Sequence, residues 1–370
     1  MLKYEMIKNY LRDEIIRSET ARRLPTVREL MSSFNVSMAT VNRALLELER
    51  ENVIIRKHGS GIIPVRNTAA AKPVLKKKKR KTVIFAVSDY PCELIWKLAY
   101  TVDQILRLND FNVVPCKIYR ETSCEDLEEV IRQYPDCCGV ILQSPPGFFP
   151  DDIMNMLKGL SFPVVFLDGL YYYDDLAPNI YLLSPDPVSA VAHIKDTLLR
   201  EGHTRIGYLR NEPLSSYNEQ FVKLLIREMK KSGIEFGEKN IFSSTIRPWE
   251  DSAEAAQKLL LQNFETIRAM KLTALIFTSS EGAFAAIPIL REAGLRVPED
   301  ISLIGENDTS SCRYSCPALT VTALDREDMA KRAVDILHGR FRDEHIWYSK
   351  RLLIERKSVY TLTTHKGDEK

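Results

Sequence analysis

Hydrophobic residues in the first 65 positions follow helical spacing and then change to short β-rich runs. Apolar residues three, four and seven positions apart predict three amphipathic helices. The three sets are Tyr4, Ile7, Leu11 and Ile15; Val27, Leu30, Met31 and Phe34; and Val41, Ala44, Leu45 and Leu48. The β-rich runs 53–56 and 62–65 flank a segment with two glycines, which predicts a hairpin.

Polar residues mark where the second and third helices begin. Thr26 with Glu29 three residues later predicts a capping box, and Ser37 can cap the third helix. The opposite face of that helix carries Thr40, Asn42 and Arg43. A small packed helical domain would share the apolar spacing. The order of elements and the polar start of the third helix favour a winged helix-turn-helix, whose second helix enters the DNA major groove.

Beyond residue 81 the pattern alternates between strands and helices. The nearly continuous apolar run Thr82–Ser88 is typical of a parallel strand buried on both faces. Further strands are predicted at 112–117, 139–143, 164–168, 205–209, 274–278 and 301–305, and helices at 96–105, 124–134, 187–201, 219–231, 252–263 and 283–293. Two such series predict a doubly wound α/β domain with two lobes, which binds ligands at the carboxyl ends of its strands.

The composition predicts a linker and a cellular location. The chain has 370 residues and a net charge of only +2, but residues 67–81 are rich in alanine, proline and lysine and end in the basic run Lys76 to Lys81. That run either attracts DNA phosphates or keeps a solvated hinge extended. Because no apolar stretch could span a bilayer, we expect a cytoplasmic protein without a membrane partner.

Catalytic and metal-binding patterns are missing from the sequence. Seven cysteines, an odd number, argue against a disulfide framework, and Cys312 and Cys316 lack a second pair of soft ligands. There is no nucleophile elbow and no phosphate-binding glycine loop. We therefore expect neither an enzyme nor a metal or cofactor.

The head resembles the GntR family of bacterial regulators. The matching residues are Leu24-Pro25-Thr26-Val27-Arg28-Glu29-Leu30, Phe34-Asn35-Val36-Ser37, Thr40-Val41, Arg43-Ala44-Leu45 and Gly59-Ser60-Gly61. The DNA-binding candidates are Arg28, Ser37, Thr40, Asn42, Arg43, Lys57, His58 and Gly61. Met38 stands where the family usually has an arginine, which suggests an altered operator preference.

A second resemblance covers roughly residues 82–360 and is clearest after Arg200. Residues 201–207, 290–305 and 317–322 look like the effector domain of the LacI family, built like a type I periplasmic sugar-binding protein. The resemblance implies crossovers near Ser184, Thr322 and 341–348. The first lobe would then contain residues 82–183 and 323–341, with a helix at 326–337. The second would contain residues 184–322 and 349–362, with a strand at 352–359.

The same resemblance implies a set of ligand-binding residues. They are Asp89, Tyr90, Asp168, Tyr217, Ser280, Glu281, Asn307 and Asp308, with Asn307 at the family's usual aspartate position. Tyr217 replaces the family's arginine, and Ser280-Glu281 replaces its Asn-Asp pair. Trp96 and Trp249 either stack on a sugar ring or belong to the core.

Head and effector domain together resemble the arabinose-repressor type of GntR regulator. The resemblance implies a homodimeric repressor on a palindromic double-stranded operator, controlled by a small ligand, most simply a sugar, between the lobes. A regulator for a non-sugar metabolite and a redox regulator using Cys312 and Cys316 are alternatives. A transport protein is disfavoured by the DNA-reading head and by the missing signal peptide.

Overall fold

The chain divides into two compact units between Lys78 and Lys79. The structure, a computed structural model, describes residues 3–17, 24–51, 53–57, 61–64, 80–143, 145, 147–167, 176–341 and 344–362. The predicted linker lies outside these ranges except for Arg80 and Lys81, which are exposed. No helix within them is long and apolar enough to cross a lipid bilayer.

The described residues of the first unit form three helices and a two-stranded hairpin. They are α1 (Lys3–Arg17), α2 (Val27–Phe34), α3 (Met38–Arg50), β1 (Ile54–Lys57) and β2 (Gly61–Pro64). The capping box is confirmed, because Thr26 Oγ1 accepts from the Glu29 amide at 3.3 Å and Glu29 Oε2 accepts from the Thr26 amide at 2.6 Å. The predicted apolar faces meet in one core that includes Ile7, Leu11, Leu30, Val41, Ala44, Leu45 and Leu48.

The first lobe of the second unit is built on a six-stranded parallel sheet. Its strands are β3 (Thr82–Ser88), β4 (Asn112–Ile118), β5 (Cys137–Gln143), β6 (Val164–Leu167), β7 (Ile180–Pro185) and β13 (Ile346–Ser349), in the order β13-β7-β6-β5-β3-β4. Helices α4 (Glu93–Leu108) and α12 (Arg326–Leu337) cover one face. Helices α5 (Cys124–Arg132) and α6 (Asp151–Lys158) cover the other.

The second lobe repeats this arrangement. Its strands are β8 (Ile206–Arg210), β9 (Ile241–Ser243), β10 (Ala274–Phe277), β11 (Ser302–Glu306), β12 (Thr320–Leu324) and β14 (Arg351–Ile354), in the order β14-β12-β11-β10-β8-β9. Only β14 runs antiparallel to its neighbour among these strands. Helices α9 (Ser252–Ala269) and α10 (Ser280–Glu292) cover one face, and α7 (Pro187–Arg200) and α8 (Ser216–Lys231) the other. A short helix, α11 (Ser310–Tyr314), follows β11.

Some elements differ from the sequence pattern. The pattern does not predict α6, β7 or β9, because eight, six and three residues are too few to establish a clear period. Helices α8 and α10 begin three residues earlier than predicted, where Ser215 and Ser279 accept hydrogen bonds from the first turn. The two helices thus begin at their capping serines, which lie earlier in the chain than the first residue of the apolar period.

Three segments connect the lobes in the part of the second unit that the structure describes. The chain crosses at Asp186 after β7, at Asp325 after β12, and at Lys350 between β13 and β14. The predicted third crossover, 341–348, is wrong, because Ile346–Ser349 pairs with β7 as an edge strand of the first sheet. The crossover is therefore a single residue between two strands.

Buried His203 is expected to make the second unit less stable at acidic pH. Its Nε2 lies 3.0 Å from the Tyr360 carbonyl oxygen and its Nδ1 2.9 Å from Thr273 Oγ1, and burial lowers its pKa below the ordinary value. The unfolded chain therefore takes up this proton first, and stability is lost as the pH falls below about 6.5. Thermal unfolding between neutral pH and pH ~5 should depend less on pH in His203→Gln. An unchanged dependence would contradict the assignment.

Candidate functional site

The start of α3 presents polar groups to solvent. Ser37 Oγ accepts from the Thr40 amide at 3.4 Å and lies 3.1 Å from Thr40 Oγ1. Met38, the first residue of α3, is 56% exposed. Asn35 ends α2 in the left-handed region at φ 46°, which turns the chain into α3. The N-terminal end of α3 is therefore capped by Ser37 and exposed to solvent.

Two candidate DNA-binding residues on α3 are held by contacts within the head. The Arg43 guanidinium lies 4.1 Å from the centre of the Tyr4 ring, and its Nε is 3.7 Å from Glu47 Oε1. Asn42 Oδ1 accepts from Arg56 of β1 at 3.3 Å. Both side chains are thereby oriented before any DNA is present.

The remaining DNA candidates lie on α2 and in the wing. Arg28 is exposed on α2. Gly61 opens β2 at φ +79°, a conformation that favours glycine, and pairs with the Lys57 backbone. The Lys57 side chain and His58 lie outside the described part of the wing.

A cleft lies between the lobes where strands of both sheets end. It encloses about 80 Å³. Its lining comes from residues at or shortly after the carboxyl ends of β3, β5, β7, β8, β10 and β11, from the first turns of α4, α8 and α10, and from the start of β14. The lining residues are Tyr90, Cys92, Leu94, Ile95, Gln143, Pro145, Pro185, Glu212, Tyr217, Asn218, Thr278, Ser279, Glu281, Glu306, Asn307 and Arg351. A groove of about 480 Å³ along α9 is larger, but strand ends do not converge on it.

A buried ionic network occupies the second-lobe side of the cleft. Arg351 Nη1 lies 3.5 Å from Glu306 Oε2, and both side chains are 2% exposed. The Tyr217 hydroxyl donates to the same carboxylate at 2.7 Å. Arg351 also donates to Asn307 Oδ1 at 2.6 Å and to the Thr322 carbonyl at 2.9 Å. The network joins β11, β12 and α8 to the Lys350 crossover.

The predicted ligand residues fall into three groups. Tyr90, Tyr217, Glu281 and Asn307 line the cleft. Ser280 and Asp308 lie outside the lining: Ser280 Oγ is 3.1 Å from Thr309 Oγ1, and Asp308 pairs with Arg356 at 2.7 Å. Asp89 is exposed and pairs with Lys117 at 2.9 Å, and Asp168 lies outside the described residues.

Sequence reasoning missed Gln143, Glu212, Glu306 and Arg351. Gln143 ends a buried strand, and Glu306 directly follows the apolar run Ile301 to Gly305. Both are polar residues at strand ends, and this pattern could have identified them as cleft residues. Arg351 carried no such signal. It begins a strand, and only its burial beside Glu306 distinguishes it from other arginines.

Burial and, after it, neighbouring acidic groups raise the pKa values of side chains that line the cleft. Burial and then the charge of Glu281 raise the pKa of Cys92 to about 12. Burial followed by the charge of Glu212 raises the pKa of Tyr90. Burial also raises the pKa of Glu281 itself. All three shifts reflect a low-dielectric cleft with excess negative charge.

The lobes touch across the cleft. The Tyr90 hydroxyl donates to the Glu250 carbonyl at 2.6 Å, and Glu93 of α4 accepts from the Ser310 amide at 2.9 Å. Trp249 packs on Phe148 of the first lobe at a ring distance of 5.3 Å. Trp96 is 54% exposed on α4 and lies outside the cleft lining. Trp249 therefore acts in lobe contact, while Trp96 belongs to neither the core nor the cleft.

Cysteines and metal ligands do not form a second centre in the described ranges. Cys312 is buried, Cys316 is exposed, and both are free thiols. Cys312 Sγ lies 3.3 Å from Thr309 Oγ1. No group of three or more His, Cys, Asp or Glu residues that could hold a metal ion gathers among the described side chains.

Both parts of the chain match known families. Residues 3–63 match the family described as bacterial regulatory proteins, gntR family, and residues 196–359 match the periplasmic binding protein-like domain. The chain is 25% identical to the arabinose metabolism transcriptional repressor of Halalkalibacterium halodurans, over 98% of this chain and 96% of that protein. The protein of the same name from Geobacillus stearothermophilus is 24% identical over 90% of each chain.

Solved structures share the fold. A LacI family regulator from Weissella paramesenteroides with bound glucose superposes with a TM-score of 0.62 and 17% identity, over 76% of this chain and all of that one. The lac repressor dimer bound to operator has a TM-score of 0.62 and 20% identity, over 76% of this chain and 95% of that one. The chain is thus a DNA-binding transcription regulator rather than an enzyme, and it joins a GntR-type winged helix-turn-helix head to a periplasmic-binding-protein-like domain.

Proposed function

We propose that the chain is a repressor that binds a palindromic operator as a homodimer, and that a sugar bound between the lobes controls its affinity for DNA. The observation that carries this proposal is the cleft at the strand ends of two lobes joined by three short crossovers, with amide and carboxylate side chains in its lining. The arabinose repressors named above and the glucose-bound neighbour support the choice of a sugar.

The mechanism is a shift in the population of lobe arrangements. The cleft encloses only about 80 Å³, whereas small-molecule pockets usually measure roughly 300–1,000 Å³. The lobes must therefore separate to admit a sugar and close again around it. A ligand shifts this equilibrium only by its difference in affinity for the two arrangements. In a dimer, the shift would change the spacing of the two heads.

A dimer needs an apolar face on each copy. Trp96 and Tyr100 lie four residues apart on α4 and are 54% and 69% exposed. Positions i and i+4 share one helix face, so the two rings form one exposed aromatic patch. A second copy is the partner that the proposal places there.

Replacing Arg43 with alanine should weaken operator binding by about 1–3 kcal/mol, or about 5- to 150-fold, through the loss of a base contact. Arg12→Ala is the matched control, because it removes the same charge from α1, where Arg12 pairs with Glu51. Fluorescence anisotropy with specific and scrambled DNA measures both variants. Arg43 does not contact bases specifically if both variants lose the same affinity for the operator. The same conclusion follows if Arg43→Ala loses the same affinity for specific and for scrambled DNA.

A test of whether a sugar controls DNA binding requires that the operator sequence be identified first. The full-length protein should enrich a palindromic sequence from random duplex DNA, and one of a panel of pentoses and hexoses should change its affinity about 5- to 150-fold. Failure to enrich any sequence would reject the DNA-binding half of the proposal. An operator whose affinity no sugar changes would reject the sugar half.

A further inference from the structure

We propose that the cleft prefers an amine-bearing sugar to the corresponding neutral sugar, an inference that rests on the proposed function. Its charged lining consists of three carboxylates, Glu212, Glu281 and Glu306, and one guanidinium, that of Arg351. No other lysine or arginine belongs to the lining within the described ranges. Glu306 pairs with Arg351, so a bound ammonium group would pair with Glu281.

Arg351 is already engaged by its own lobe. It lies 3.5 Å from Glu306 and donates to Asn307 Oδ1 and the Thr322 carbonyl. The positive charge of Arg351 is therefore paired with the carboxylate of Glu306. It does not neutralise the carboxylate of Glu281, which lies in the first turn of α10.

Glu281 presents a buried carboxylate to the cleft. Its Oε2 accepts from Ser280 Oγ at 3.1 Å, while its buried Oε1 receives no hydrogen bond from the described residues. Burial raises the pKa of Glu281, whereas the N-terminal end of α10 and a bound ammonium group would both favour its charged form. Gly305 lets this helix end approach β11, since a Cβ there would lie 2.9 Å from Ser280 Cα. An unpaired buried carboxylate oxygen is costly, and a charged N–H donor relieves that cost best.

Gln143 supplies an independent sign of a ligand. The side chain is 1% exposed at the end of β5, and neither its amide nitrogen nor its oxygen has a hydrogen-bond partner among the described residues. A buried amide without partners is uncommon in folded proteins. It offers donors and an acceptor, which suit a sugar hydroxyl. An amide beside carboxylates matches a molecule that carries hydroxyls and one ammonium group.

The test compares matched sugars by calorimetric titration of the full-length protein at neutral pH. The pairs are glucose and glucosamine, galactose and galactosamine, and mannose and mannosamine, with the N-acetyl derivatives as uncharged controls. One amino sugar should bind about 10- to 100-fold more tightly than its neutral partner, the value of a charge-assisted hydrogen bond. Glu281→Gln should reduce that preference to about threefold or less. Glu327→Gln, at an exposed carboxylate on α12 that pairs with Lys331, should preserve it.

The outcomes separate the two proposals. If a neutral sugar binds as tightly as its amine, the preference proposed here is wrong while the sugar-controlled repressor stands. If no sugar of either kind binds a protein that still selects an operator, the sugar half of the proposed function falls, and this inference with it. The preference of the unaltered protein decides the matter even if Glu281→Gln does not fold.

Discussion

Replacing Arg351 with alanine is expected to lower the free energy of unfolding of the second unit by about 3–5 kcal/mol. The guanidinium and Glu306 are both 2% exposed, so alanine would leave a buried carboxylate without its cation. The substitution also removes the hydrogen bonds to Asn307 and the Thr322 carbonyl. Chemical denaturation followed by tryptophan fluorescence measures the loss.

Two comparisons separate this effect from the loss of any arginine. Arg296→Ala removes an exposed pair with Asp300 and should cost under about 1 kcal/mol. Arg351→Met with Glu306→Gln removes both buried charges and should recover most of the loss. If Arg351→Ala costs no more than Arg296→Ala, the buried pair does not stabilise the unit.

Replacing Leu45 with alanine is expected to abolish operator binding while the second unit stays folded. Leu45 is fully buried in the core of the head, and such a substitution typically costs about 2–5 kcal/mol. A single core in a domain below about 70–80 residues rarely supplies more than about 3–5 kcal/mol. The head should therefore be largely unfolded, because the loss approaches its whole stability.

Leu46 offers a control at the next position. It has the same side chain but is 45% exposed on the other side of α3, so Leu46→Ala should change stability by under about 0.5 kcal/mol. Calorimetry should show the head transition lost in Leu45→Ala and kept in Leu46→Ala, with the transition of the second unit unchanged in both. Operator binding that survives Leu45→Ala would contradict an independent head core.

Elements with strong local signals were predicted from the sequence. The capping box at Thr26 and Glu29 and the apolar run of β3 depend on residues close together in the chain, and both are confirmed. Helix α6 and strand β7 were not predicted. Their short apolar stretches become defined only by packing against the first-lobe sheet and pairing with its strands.

The composition of the cleft was predicted less completely than its place in the fold. Because strand ends in α/β sheets face ligands, the sequence pointed to Tyr90 and Asn307, which line the cleft. Asp89, one residue before Tyr90, lies at the same strand end but faces solvent with Lys117. Neighbouring residues after a strand point in different directions, and spacing alone does not distinguish them.

The sequence by itself determined a winged helix-turn-helix head followed by a two-lobed α/β domain. It did so because caps, apolar periods and family motifs are local features that hold before the chain folds. Only the tertiary structure decided that Glu306 and Arg351, far apart in the chain, form one buried pair and that Trp249 packs across to the first lobe. Such contacts depend on which elements meet. The charge of the cleft, and with it the ligand we propose, therefore follows from the assembled lobes.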